Sequence, residues 1–327
     1  MEDFMKKRVS LMLACLMLLS VMGLLSACTA NEEPTTSSTP APTPTPTQMD
    51  ATKVYAIVQG YEWGPAVPKV VLEFPEDVSG FANDTFEVRF GTTKRTVKEV
   101  YSSNEDGERS DAAAKYVTIE MSVKSNEASP FTYQDYNIWL DSMDVKVTVA
   151  QGKSFTVGST SYQGGDVYSY AVTAAERKVP QTASWVKDTV EYKEEGKDIT
   201  LSRASWAPEG ADSDSGKNPL IIWLHGGGEG GTDIDIALLG NEVTALTAEN
   251  ETNVQKYFAT DGLAGAYVLA VQTPTAWMDS DGNGTYDHSD ATITEQQKSW
   301  YTEALWKAIT TYVESNPDVD TDRIYLG

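Results

Sequence analysis

Leu220-Ile221-Ile222-Trp223-Leu224 is an unbroken apolar run that passes directly into His225-Gly226-Gly227-Gly228-Glu229-Gly230-Gly231. A strand with no polar alternation has to be covered on both faces, as at the centre of a parallel sheet with helices above and below. A chain made only of half-exposed antiparallel strands has no place for it. The surrounding text agrees. Ala266-Tyr267-Val268-Leu269-Ala270-Val271 is a second buried strand, and Arg323-Ile324-Tyr325-Leu326 opens a third. Residues 294–316 predict a helix, because Trp300, Ala304, Leu305, Ala308, Ile309, Tyr312 and Val313 share one face. Thr294 with Gln297 gives it a capping box, and Pro317 stops it. Upstream, residues 190–192 and 199–206 predict an opening hairpin, and 212–218 a polar loop. Strands alternating with helices make residues 183–327 the start of a doubly wound sheet.

The preceding stretch has a different period. Phe86, Val88 and Phe90 alternate with Thr85, Glu87 and Arg89, and Val117, Ile119, Met121 and Val123 with Thr118, Glu120 and Ser122. Val145, Val147 and Val149 repeat the pattern, with further candidate strands at 54–59, 69–74 and 167–170. Breaks such as Asn104-Glu105-Asp106-Gly107 and Gln163-Gly164-Gly165-Asp166 separate them. Short alternating strands between turn residues predict an all-β sandwich over residues 51–182. The chain has two cysteines, Cys15 and Cys28, and both precede the sandwich. The sandwich is therefore of immunoglobulin-like shape without the antibody disulfide.

The N-terminus predicts export. Lys6, Lys7 and Arg8 precede an uncharged run ending in Leu25-Ser26-Ala27-Cys28. Small residues before a cleavage point favour a leader over a spanning helix. The four residues resemble the lipobox of bacterial lipoproteins, which implies a signal peptide over 1–27, lipid on Cys28, and an extracytoplasmic chain anchored to a bacterial membrane. Residues 28–50, with Pro40-Ala41-Pro42-Thr43-Pro44-Thr45-Pro46-Thr47, form a Pro/Thr/Ser-rich tether with nothing to bury. The formal charge is −23, and −24 without residues 1–27, which carry +1. Such a surface argues against nucleic acid as a partner and against electrostatic adsorption to anionic lipid.

Gln59-Gly60-Tyr61-Glu62-Trp63-Gly64-Pro65-Ala66-Val67-Pro68-Lys69-Val70 resembles the start of the immunoglobulin-like domain that precedes the catalytic domain of certain secreted bacterial esterases. Two roles are open for it: a neighbour that shapes access to an active site, and a spacer whose Tyr61 and Trp63 fill its own core. His-Gly-Gly-Gly after a buried strand is the oxyanion-loop pattern of lipases and esterases. Together with Leu239-Gly240-Asn241-Glu242-Val243-Thr244-Ala245-Leu246, Gln272-Thr273-Pro274-Thr275-Ala276-Trp277-Met278-Asp279 and Asp322-Arg323-Ile324-Tyr325-Leu326-Gly327, it resembles the secreted α/β-hydrolases described as esterases, peptidases or phospholipase/carboxylesterase-like proteins. Acyl transfer builds charge on a carbonyl oxygen, and glycines let main-chain amides be aimed at it.

The resemblance implies oxyanion donors at Gly227, Gly228 and Glu229, with His225 and Gly226 supporting the loop. It also implies an ester substrate of small-molecule or polymer kind; Trp277 and Met278 read either as lining the substrate cleft or as core. In that family the Arg-Ile-Tyr strand runs into the nucleophile elbow, and the acid and histidine follow the serine in chain order. All three are thus expected beyond Gly327, the hydrolase domain is expected to be incomplete, and the 327-residue chain is expected to be an inactive fragment. His288 precedes the elbow and reads as an exposed loop histidine. The alternative is a non-catalytic surface-binding lipoprotein that works through the sandwich.

One further pattern falls outside that chemistry. Asp279, Asp281, Asn283, Thr285, Asp287 and Asp290, with Gly284 at the sixth position, have the spacing of a calcium loop. No cofactor is required by the hydrolase reading. A structural calcium and a plain acidic turn both fit the spacing.

Overall fold

The structure is a computed structural model, and it describes residues 45–125, 127–213, 216–240, 243–247, 254–287 and 298–327. Cys28, His288, Asp290, Thr294 and Gln297 lie outside the described residues. Among the described residues no helix is long and apolar enough to cross a membrane. Residues 45–327 form one compact unit.

The alternating segments become a sandwich. One sheet runs β14 (Arg177–Lys178), β1 (Lys53–Tyr61), β2 (Gly64–Glu73), β7 (Tyr116–Met121), β6 (Val97–Ser103). The other runs β13 (Val167–Thr173), β10 (Ser142–Val149), β4 (Phe86–Phe90), β5 (Thr93–Arg95). A small sheet of β12 (Thr160–Gln163), β11 (Ser154–Val157) and β3 (Val78–Ser79) accompanies them. On β10 the inward residues Met143, Val145, Val147 and Val149 are buried, while Ser142, Asp144 and Lys146 are exposed, as a period of two requires. Val54, Ala56, Val58, Leu72, Phe74, Val88, Ile119 and Phe155 fill the space between. A separate hairpin, β8 (Phe131–Gln134) and β9 (Tyr136–Trp139), turns at Asp135, whose φ of 63° is in the left-handed region that Asp tolerates.

The second part is a mixed five-stranded sheet in the order β15 (Val186–Tyr192), β16 (Ile199–Trp206), β18 (Tyr267–Gln272), β17 (Asn218–Leu224), β19 (Val319–Leu326). β15, β16 and β18 pair antiparallel, and β17 pairs parallel with both β18 and β19. Every residue of β18 is buried, because alternate side chains meet different layers. Tyr267, Leu269 and Val271 pack with α2 (Thr302–Ser315) through Ala304, Ala308 and Tyr312. Val268 and Ala270 pack with α1 (Ile234–Gly240) through Ile234, Ala237 and Leu238. Helices thus cover both faces, though the sheet is mixed rather than wholly parallel. The helix expected from residue 294 is described only from Thr302, with Tyr301 at its N-cap and no side-chain cap bond.

Helix α1 was not legible in the sequence, and it joins the two parts. Ile236 and Leu239 belong to the sandwich core, while Ile234, Ala237 and Leu238 belong to the sheet core. At the other margin, β19 is an edge whose Ile324, Tyr325 and Leu326 are 42%, 47% and 69% exposed. That is an apolar edge of a kind soluble proteins ordinarily cover.

Candidate active site

The glycine loop leaves the C-terminal end of β17, between the ends of its two parallel neighbours. On one side, Gly327 N–H donates to the Ile222 carbonyl at 2.9 Å, and Leu224 N–H donates to the Gly327 carbonyl at 2.9 Å. The end of β19 therefore lies beside the residue that precedes His225. On the other side stands Thr273, which follows β18.

His225 links the loop to that second side. Its ring is 4% exposed. Thr273 N–H donates to Nε2 at 3.1 Å, so Nε2 is the acceptor nitrogen and Nδ1 carries the hydrogen. Nδ1 donates to the Gly226 carbonyl at 2.7 Å. The Thr273 hydroxyl, 2.9 Å from Nε2, gives its own proton to the Thr275 carbonyl at 2.6 Å. Burial pushes the His225 pKa below its ordinary value, opposed in part by the Gly226 carbonyl and the nearby Glu229 carboxylate. The ring is neutral and committed to the loop. Further along, Gly231 N–H donates to the Thr273 carbonyl at 2.8 Å, and Gln272 Nε2 donates to the Glu229 carbonyl at 2.8 Å.

Between these anchors residues 226–229 form a tight turn closed by Glu229 N–H donating to the Gly226 carbonyl at 3.2 Å. Three amides were expected as donors, and that of Glu229 is committed to closing the turn. Those of Gly227 and Gly228 have no hydrogen-bond partner among the described residues. The reason for the glycines also needs correcting. None of Gly226, Gly227 and Gly228 has a positive φ, and a Cβ on Gly227 would meet nothing within 4 Å. The steric requirement lies later. A Cβ on Gly230 would come within 2.6 Å of the Thr275 carbonyl oxygen, and Gly231 has φ +146°.

Trp277 stacks at 33° on His225, with 5.2 Å between ring centroids, and meets Tyr301 edge-on. Its buried Nε1 has no hydrogen-bond partner among the described residues. Met278 is half-buried, and its carbonyl accepts from Asp287 N–H at 3.3 Å. In the acidic loop, carboxylate oxygens of Asp279, Asp281 and Asp287 lie within 4.8 Å of one another. Asp279 is fully buried and accepts from the N–H groups of Asp281, Gly282 and Gly284. Asn283 and Thr285 stay at the surface: Asn283 Oδ1 accepts from Thr285 N–H, and Asn283 N–H donates to Asp281. The oxygens expected to meet a cation are thus also acceptors for the loop's own backbone.

A neighbour of the glycine loop went unread in the sequence. The β8–β9 hairpin of the sandwich reaches it through Asn137, and a cleft of about 380 Å³ lies at the junction, lined by Trp63, Phe131, Tyr133, Asn137 and Glu229 among others. The one available signal was the density of aromatic residues at Phe131, Tyr133, Tyr136 and Trp139 around Asp135.

Residues 53–163 match the family described as Esterase Ig-like N-terminal domain. No curated protein sequence matches the chain. Among solved structures, a thermostable esterase shares the fold with a TM-score of 0.59 at 20% identity, over 84% of this chain and 69% of that one. An acylaminoacyl peptidase of Pyrococcus horikoshii aligns at 12% identity over 79% of this chain and 39% of that one, with a TM-score of 0.25. A prolyl endopeptidase aligns at 10% identity over 84% and 38%, with a TM-score of 0.23. The sandwich with its matched family, and the sheet that follows it, make this chain esterase-like in architecture, with an immunoglobulin-like N-terminal domain.

Proposed function

We propose that the protein is a serine hydrolase of carboxylic esters, with peptide bonds as a variant substrate, held outside the cytoplasm by lipid on Cys28. The supporting observation is that β19 ends against β17 at the residue before the glycine loop. A serine presented on a turn just after Gly327 would stand beside the Gly227 and Gly228 amides, which are free to take the oxyanion. The acid and the histidine would follow that serine, because His225 is committed to bracing the loop. Residues up to Gly327 would then supply oxyanion binding without a nucleophile, and so at most weak catalysis.

The test is hydrolysis of short p-nitrophenyl esters by the product of the whole reading frame, compared with a variant in which the elbow serine is alanine. Serine-dependent turnover supports the proposal. A stop codon directly after Gly327, with no turnover, defeats it and leaves the non-catalytic surface-binding lipoprotein. Metabolic labelling with palmitate, lost in Cys28→Ala, checks the anchor. The convergence of Asp279, Asp281 and Asp287 favours a structural calcium over a bare turn. Titration calorimetry with calcium that shows no heat removes it.

A further inference from the structure

The glycine loop is gripped from the sheet side by His225, Gln272 and Thr273, and from the opposite side by a residue about ninety positions earlier. Asn137 N–H on β9 donates to the Gly228 carbonyl at 2.7 Å, and Asn137 Nδ2 donates to Glu229 Oε1 at 3.2 Å. The hairpin that carries Asn137 is itself tied at two further points. Trp139 Nε1 donates to Asp233 Oδ2 at 2.7 Å, and the Tyr136 hydroxyl donates to the Gly284 carbonyl at 3.3 Å.

We infer that Asn137 is a positioning residue for the oxyanion loop, so that the immunoglobulin-like domain is a working part of the ester-hydrolysing site. The inference rests on the hydrolase reading above. A trans peptide sets its C=O and N–H on opposite edges. Holding the Gly228 carbonyl toward the hairpin therefore turns the Glu229 N–H the other way, toward the Gly226 carbonyl, and closes the turn. The amides of Gly227 and Gly228 are left over for an anion. Nothing local would enforce this. Glycines restrict the backbone least, and no atom lies within 4 Å of where a Gly227 Cβ would be. A Cβ on Gly228 would meet Asn137 Nδ2 at 3.3 Å and Tyr133 at 3.7 Å, both from the hairpin.

The side-chain bond has a second consequence. Glu229 is 8% exposed, and in the chain it directly follows the glycines whose amides are meant for a negative charge. Asn137 holds that carboxylate on the hairpin side, against Gly240, whose Cβ would come within 2.8 Å of Glu229 Cγ. A hairpin acting only as filler between the two parts would need apolar contact and no such pair of bonds.

Amide exchange and kinetics separate the possibilities. In the chain to Gly327, Asn137→Pro lacks the donor N–H, and Asn137→Ala lacks only the side-chain bond. The Glu229 amide should exchange about tenfold faster in Asn137→Pro and a few-fold faster in Asn137→Ala, while the thermal midpoint of Asn137→Ala stays near that of the parent. In the whole reading frame, Asn137→Ala should lower kcat on p-nitrophenyl acetate about tenfold with KM unchanged, because the interaction matters only once charge has formed. Unchanged exchange in both Asn137 variants overturns the inference, as does an effect confined to KM. Faster exchange in a whole-frame protein with no esterase turnover overturns the hydrolase reading and takes the catalytic role of Asn137 with it.

Discussion

Two alanine substitutions three residues apart should have opposite signs. At Gly230 an added Cβ would lie 2.6 Å from the Thr275 carbonyl oxygen and 2.8 Å from two carbons of the Tyr136 ring. Neither neighbour is free to yield. The Thr275 carbonyl already accepts from Thr273, and the Tyr136 ring is tethered through its hydroxyl to Gly284. Overpacking against fixed neighbours costs about 1–3 kcal/mol, and the lower chain entropy of unfolded alanine returns about 0.4–1 kcal/mol. Gly230→Ala should therefore lose about 1–2 kcal/mol net. At Gly227 the φ is not positive and nothing lies within 4 Å, so only the entropy difference remains. Gly227→Ala should gain about 0.4–1 kcal/mol. The two variants then differ by about 2 kcal/mol, which separates their urea midpoints by about 1 M. Tryptophan fluorescence follows the transitions, since Trp277 packs on His225 and Trp223 lies in the strand that leads into the loop. Equal midpoints, or a Gly227→Ala protein less stable than Gly230→Ala, would refute the assignment of the steric requirement to Gly230.

Two further outcomes follow from buried groups. Leu239→Ala removes a fully buried side chain that α1 inserts into the sandwich core, and should cost about 2–5 kcal/mol; a loss below about 1 kcal/mol in urea denaturation would show that α1 does not bind the two parts together. Burial lowers the His225 pKa, so the unfolded chain takes up a proton from about pH 6.5 downward while the folded chain does so only at lower pH. Stability should fall as pH drops from 7 to 5.5, and His225→Gln should flatten that slope; parallel slopes for the two proteins would count against the buried neutral ring.

What the sequence disclosed depended on how locally each feature is encoded. β17 and β18 were legible because burial on both faces leaves a continuous apolar text, and β4 and β10 because burial on one face leaves strict alternation. Helix α1 is illegible for the opposite reason. Ile234, Ile236, Ala237, Leu238 and Leu239 are all buried, so no polar face marks a helical period, and the helix has only 7 residues. The β8–β9 hairpin left little trace because Tyr133 and Ile138 are 66% and 38% exposed, and its polar partners come from Gly228, Glu229, Asp233 and Gly284. The glycine run itself is conspicuous, yet nothing in the local text ranks its members. The bend at Gly227 is one any residue could adopt, while the crowding at Gly230 is set by Thr275 and Tyr136.

The bearing of α1 on the sandwich goes beyond packing. A spacer domain joined by a linker could be removed without exposing a core, but here Ile236 and Leu239 would be stripped of their neighbours on one side of the helix while Ala237 and Leu238 stayed against the sheet on the other. The helix begins at Ile234, next to the Asp233 that accepts from Trp139, and ends at Gly240, against Glu229. Any displacement of the sandwich therefore reaches the glycine loop by two routes at once, through the Asn137 bonds and through the helix that supports Glu229. Of the two roles open to the immunoglobulin-like domain from sequence alone, this connectivity favours the one in which it shapes the site.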